Sequence, residues 1–138
     1  MHEKYYLDTS IWMDLYEDRK GYSNEPLGDH ALKLISLIKL KKASLIITDI
    51  LIKELEMNYS MEEINGMMKP MEKITKKIIS TKAQIDEAEK IAGQRKIPKG
   101  DVLHAILARD NDLILVTRDK HFRLLSDICK YYRPEDLI

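Results

Sequence analysis

A chain of 138 residues suits one compact domain with room for a real hydrophobic core. Its 44% hydrophobic and 33% charged residues exclude a low-complexity chain, and no run approaches the roughly 20 apolar residues of a membrane span. The 23 basic and 23 acidic residues cancel, and the single Cys129 excludes both an internal disulfide and a cysteine-built metal site.

The neutral total conceals a polarity. Residues 1–30 carry 3 basic and 7 acidic groups, whereas residues 69–99 carry 9 basic and 4 acidic groups. A basic region facing an acidic pocket would allow phosphate contacts despite zero net charge. A solvated helix face is the other reading of residues 69–99. The start, Met-His-Glu-Lys followed at once by a strand-like run, lacks the pattern of a signal peptide, so a cytoplasmic location is expected.

Lys4 to Leu7 predicts a first strand. Ser10 is expected to cap a helix to about Asp18, with Ile11, Trp12 and Leu15 on its apolar face. Residues 19–28, with Gly21, Asn24, Pro26 and Gly28, predict a loop. A second helix follows from about Asp29 to Lys41. Leu45 to Ile47 predicts a buried strand, after which Thr48 or Asp49 caps a helix carrying Leu51, Glu54 and Leu55. Ser60 to Glu63 is a capping-box pattern opening a short helix, punctuated by Gly66 and Pro70. Ile78-Ile79 reads as a minor strand or a loop. Lys82 to Arg95 predicts a helix, and Pro98-Lys99-Gly100 a break before a helix from Asp101 to about Arg109. Leu113 to Val116 predicts a strand, Phe122 to Ser126 a short helix and Ile128 to Tyr132 a last strand. Short apolar strands separated by helices imply an α/β fold, a parallel sheet of about four or five strands with helices on both faces. No repeat or linker divides it, so residues 1–138 are expected to form a single domain.

In such folds ligands bind beyond the carboxyl ends of the strands. Asp8 follows the first strand directly, and Asp119 lies three residues past Val116. Asp101 opens a helix, and Glu54 lies in the first turns of the helix after the second strand. Four acids from four segments can thus converge. Gathered carboxylates repel one another unless a cation neutralises them, and hard cations such as Mg2+ and Mn2+ prefer oxygen ligands. Such a centre suits phosphodiester hydrolysis. A receiver or phosphatase-type phosphotransfer domain fits less well, because Asp8-Thr9-Ser10 lacks the second acid those phosphatases carry.

Four segments together resemble the PIN-domain family, which includes VapC-type toxins of toxin–antitoxin pairs. They are Tyr6-Leu7-Asp8-Thr9-Ser10-Ile11, Ile50-Leu51-Ile52-Lys53-Glu54-Leu55, Asp101-Val102-Leu103-His104-Ala105-Ile106-Leu107-Ala108 and Leu115-Val116-Thr117-Arg118-Asp119-Lys120-His121-Phe122. The resemblance runs from Asp8 to the end, with residues 57–80 the least typical. It implies a three-layer PIN-like fold and a Mg2+- or Mn2+-dependent endoribonuclease. Asp8, Asp101 and Asp119 would be metal ligands, with Glu54 completing the acidic pocket and helping to hold a second metal or orient the water. Ser10 and Thr117 would support the ligands or their waters. It also implies an antitoxin partner and a homodimer. Asp49 departs from the pattern and is expected to cap its helix. The alternative is a PIN-like RNA-binding or RNA-processing component with weak or no cleavage.

Arg95, Lys96 and Lys99 before Asp101, and Arg118 and Lys120 around Asp119, are candidates for substrate phosphates. Their other reading is local charge balance. His104 is expected to be structural or to support a ligand, and His121 to be a surface or packing residue. Trp12, Tyr5, Tyr6, Tyr131 and Tyr132 are candidate base-stacking groups, although Trp12 falls on an apolar face. Met57, Met61, Met67, Met68 and Met71 suggest an adaptable groove for a partner's helix, or ordinary core packing.

Overall fold

The computed structural model describes residues 2–138. Short runs, too brief for stable helices, supply the strands Lys4–Leu7 (β1), Ser44–Thr48 (β2), Thr75–Ile78 (β3), Ile114–Val116 (β4) and Tyr131–Tyr132 (β5), of which β2 and β4 are mostly apolar and β3 is Thr-Lys-Lys-Ile. They form one parallel sheet in the order β3-β2-β1-β4-β5. All five residues of β2 are buried, as a strand covered on both faces requires. β3 lies at an edge, and its exposed Lys76 and Lys77 discourage pairing with another chain.

The helices are Thr9–Glu17 (α1), Leu27–Leu40 (α2), Asp49–Leu55 (α3), Met61–Met68 (α4), Lys82–Arg95 (α5) and Lys99–Asn111 (α6). Tight 3-10 turns occupy Lys69–Ile74, Lys120–Leu125 and Pro134–Asp136. The chain steps from β1 outward to β2 and β3, then returns to lay β4 against the other side of β1. With right-handed crossovers this puts the packed pair α1 and α2 on one face and the pair α5 and α6 on the other. The reversal between β1 and β4 opens a crevice at their carboxyl ends.

Several boundaries move, each for a local reason. α1 begins at Thr9, so Asp8 rather than Ser10 holds the capping position; its carbonyl accepts from Ile11 N at 3.1 Å. α2 begins at Leu27, two residues early, because Gly28 lets its first turn cross the end of α1. A Cβ on Gly28 would lie 2.9 Å from the Asp14 carbonyl oxygen. Thr48 caps α3, its hydroxyl accepting from Leu51 N at 3.1 Å. Asp49 instead accepts from Ser80 N and Oγ at 2.9 and 2.6 Å, tying the end of β3 to the start of α3. α6 begins at Lys99, making Asp101 its third residue. The 3-10 turn at Lys120–Leu125 replaces the expected helix, and β5 is confined to two residues.

The core contains Trp12, Tyr6 and Phe122, all fully buried, with Tyr5 almost so. Trp12, Tyr5 and Tyr6 therefore face other side chains, not nucleic acid. Met67 and Met71 pack into the core, whereas Met57 and Met61 are exposed. No helix among the described residues is long and apolar enough to cross a membrane.

Candidate active site

Leu7 pairs with Val116 across β1 and β4, so the residues that follow, Asp8 and Thr117, emerge side by side. The Thr117 hydroxyl donates to Asp8 Oδ2, and Ser10 Oγ donates to Oδ1 at 2.6 Å. Burial pushes the Asp8 carboxyl above its ordinary range, and these two hydroxyls offset part of the rise. Thr117 Oγ1 also accepts from Asp119 N at 3.0 Å. One hydroxyl thus links both strand-end acids.

A cavity of about 330 Å3 opens here, and Asp8, Glu54, Asp101 and Asp119 all line it. Burial first, and the nearby Asp119 charge second, push the Asp101 carboxyl up to about 6. Asp101, Asp119 and His121 each offer one atom within 4.8 Å of the others, a group able to hold a metal ion. The donor set suits a divalent cation: mostly hard carboxylate oxygens, crowded enough to resist ionising together.

Glu54 is held from behind. Its Oε1 accepts from Thr9 Oγ1 at 2.5 Å and from His104 Nε2 at 2.6 Å. Its Oε2 lies over Gly100, where an added Cβ would come within 2.4 Å; only glycine leaves that oxygen its place. Burial raises the Glu54 carboxyl, but the His104 bond and charge and the Thr9 bond outweigh it, and the net shift is downward. His104 is itself buried, with Nδ1 bonded to the Tyr6 hydroxyl, which bonds Thr48 Oγ1 at 2.7 Å. Burial disfavours its charged form, yet Glu54, Asp8 and Asp101 lift its pKa above the ordinary value. Neutral or protonated, the ring serves Glu54 with the same Nε2–H, because the Tyr6 hydroxyl can donate a hydrogen bond to Nδ1 or accept one from it.

The PIN-domain family model matches residues 5–128. The chain belongs to the PIN-domain family. Among solved structures, VapBC2 from Rickettsia felis bound to a DNA fragment from their promoter superposes with a TM-score of 0.67. It is 17% identical, over 94% of this chain and 98% of that one. PAE2754 from Pyrobaculum aerophilum superposes with a TM-score of 0.59 at 21% identity, over 98% of this chain and 86% of that one. At such identities the likeness is one of fold. A search of curated protein sequences finds no significant match.

Three of the basic residues of this PIN domain are paired with acids, as the charge-balance reading expects. Arg95 makes two 2.8 Å bonds to Asp127, and Lys99 pairs with Glu89 at 2.7 Å. Arg118 is nearly buried between Asp14 and Glu135. None of the three lines the acidic cavity, nor do Lys96 and Lys120. Arg19 does, from the loop after α1, with Glu17 as its ion partner at 3.2 Å. Arg19 and Thr9 escaped the sequence reading, since nothing in a lone loop arginine or a helix-start threonine marks it. His121, expected as a surface or packing residue, is half-exposed, and its ring meets Asp101 and Asp119.

Proposed function

We propose that this PIN domain is a metal-dependent endoribonuclease that hydrolyses RNA phosphodiesters with water. The convergence of Asp8, Glu54, Asp101 and Asp119 on one cavity at the β1–β4 crevice supports this reading most strongly. Asp8, Asp101 and Asp119 would hold Mg2+ or Mn2+, which when bound supplies an activated water and offsets charge building on the phosphate. Ser10 and Thr117 keep Asp8 aimed into the cavity. Glu54, held ionised and anchored through Oε1, accepts a hydrogen bond from the attacking water at Oε2 and orients it. Arg19 meets a phosphate at the cavity wall. The chain acts as the toxin of a toxin–antitoxin pair in the cytoplasm, as a homodimer, with an antitoxin covering the acidic cavity. The VapBC2 fold likeness and family membership support this wider reading.

A cleavage assay on pooled structured and single-stranded RNAs, comparing Mg2+, Mn2+ and EDTA, tests the activity. Cutting that needs the metal is expected. RNA binding without cutting under either metal would replace it with an RNA-binding or processing role.

Two substitutions sharpen the test. Arg19→Ala is expected to raise KM about tenfold, as the loss of one charge-assisted contact worth about 1.4 kcal/mol would. Arg95→Ala and Lys99→Ala, which lie outside the cavity lining, should leave KM nearly unchanged. A normal KM for Arg19→Ala would remove it from the substrate path. His104→Ala is expected to slow single-turnover cleavage by about 10- to 100-fold, the usual cost of losing a group that orients a site carboxylate. His104→Gln, which can still present an N–H to Glu54, should recover part of the rate. Equal rates for the two variants would mean His104 only fills space.

A further inference from the structure

We infer that His121 is a nitrogen ligand of the metal centre and makes it favour Mn2+ over Mg2+. This rests on the nuclease reading above and adds a ligand of another chemical type. His121 Nδ1 lies 3.1 Å from Asp101 Oδ2 and 3.0 Å from Asp119 Oδ1. Three donor atoms within 4.8 Å of one another would be close enough to hold one cation together. The three side chains come from two separate supports. Asp101 projects from the first turn of α6, while Asp119 and His121 sit on the turn after β4. The Asp119 carboxylate accepts from His121 N at 2.9 Å, which fixes the backbone carrying the ring. His121 therefore does not depend on chance rotation of a free surface loop to reach the pair.

The donor type decides the preference. Mg2+ is hard and seldom takes an imidazole, whereas carboxylate sites with an added imidazole gain affinity for Mn2+ and the later first-row ions. A site of Asp8, Asp101 and Asp119 alone offers oxygen only; His121 makes the set mixed. The competing role for His121 is that of a countercharge, donating to the two acids and leaving when a cation arrives. The two roles predict opposite signs. A departing countercharge competes with every cation, so its removal would tighten Mn2+ and Mg2+ alike. Loss of a ligand would weaken Mn2+ selectively.

The test is calorimetric titration of the purified chain with MnCl2 and with MgCl2, for wild type, His121→Ala and Asp119→Asn. The half-exposed position of His121 makes its variant well suited to folding, which circular dichroism checks. Wild type is expected to bind Mn2+ more tightly than Mg2+. His121→Ala should lose at least about tenfold in Mn2+ affinity and keep Mg2+ within about twofold. A proportionate change in both ions, or none in either, overturns the role of His121. If Asp119→Asn still abolishes binding in that case, the acidic centre stands without it. No binding of either ion to wild type would overturn both readings.

Discussion

Asp101→Asn is expected to abolish RNA cleavage while making the metal-free protein more stable at neutral pH. The loss should be about 1000-fold or more, since a carboxylate that binds the cation and shapes its charge contributes several kcal/mol to the reaction. The gain follows from the same crowding. Burial and then Asp119 push the Asp101 carboxyl up to about 6 from an ordinary 3.8. Between those values the folded chain binds a proton that the unfolded chain has released, so stability falls as pH rises through that window. Above about pH 6 the whole cost is present; below about pH 4 it is gone. Asn removes it, which should add about 1–2 kcal/mol at pH 7, allowing for solvent that reaches the partly open site.

Urea unfolding at pH 4 and pH 7 with EDTA measures this gain. Added Mn2+ should then stabilise wild type and not the variant, because only a folded state that binds the ion is stabilised by it. Asp8→Asn should match the loss of cleavage. Retained cutting in either variant would place the chemistry elsewhere. Lost cutting without the stability gain would show that Asp101 is neutralised in the free protein, with His121 the nearest candidate.

Arg118→Ala is expected to cost about 3 kcal/mol of stability, the scale for stripping one partner from a buried ion pair. Arg118 Nε donates to Asp14 at 3.2 Å, and its two Nη groups clasp Glu135 at 2.9 and 2.7 Å. The Asp14 side chain is only 6% exposed. Burial already pushes its carboxyl up, and the Arg118 charge is the main offset. Without the guanidinium, α1 would carry an unpaired buried carboxylate and the turn at Pro134–Asp136 would lose its clamp. The deficit should shrink on acidification, as Asp14 takes up a proton and its charge disappears. Arg118→Lys keeps the charge without the planar fork and should recover only part. The measurement is urea unfolding at pH 5 and pH 8. Wild-type stability with a raised KM for RNA would instead return Arg118 to the substrate.

The fork also shows why the basic residues were hard to read. Arg118 stands beside Asp119 in sequence, which suggests a shared site. Its side chain instead turns to Asp14, 104 positions away, and to Glu135 near the other end of the chain. An exposed-looking charge in the sequence has no signature of its partner, because ion pairs form between whichever side chains the packed elements bring together.

What the sequence by itself determined is local and periodic. The apolar run Tyr5-Tyr6-Leu7, the capping box at Ser60 and the helix Lys82–Arg95 follow from neighbours a few residues apart. The four acids that line the cavity stood out too, because Asp8 directly follows one strand-like run, Asp119 lies three residues past another, and the four short motifs stand in family order. Only the tertiary structure decided the strand order, with its reversal between β1 and β4, and the partners that crowd each acid. Glu54 meets His104 across 50 residues, and His121 reaches Asp101 across 20. The physical reason is that a residue's helix or strand preference depends on its immediate neighbours. The direction and company of its charged end depend on sheet register and crossover hand, which long-range packing selects.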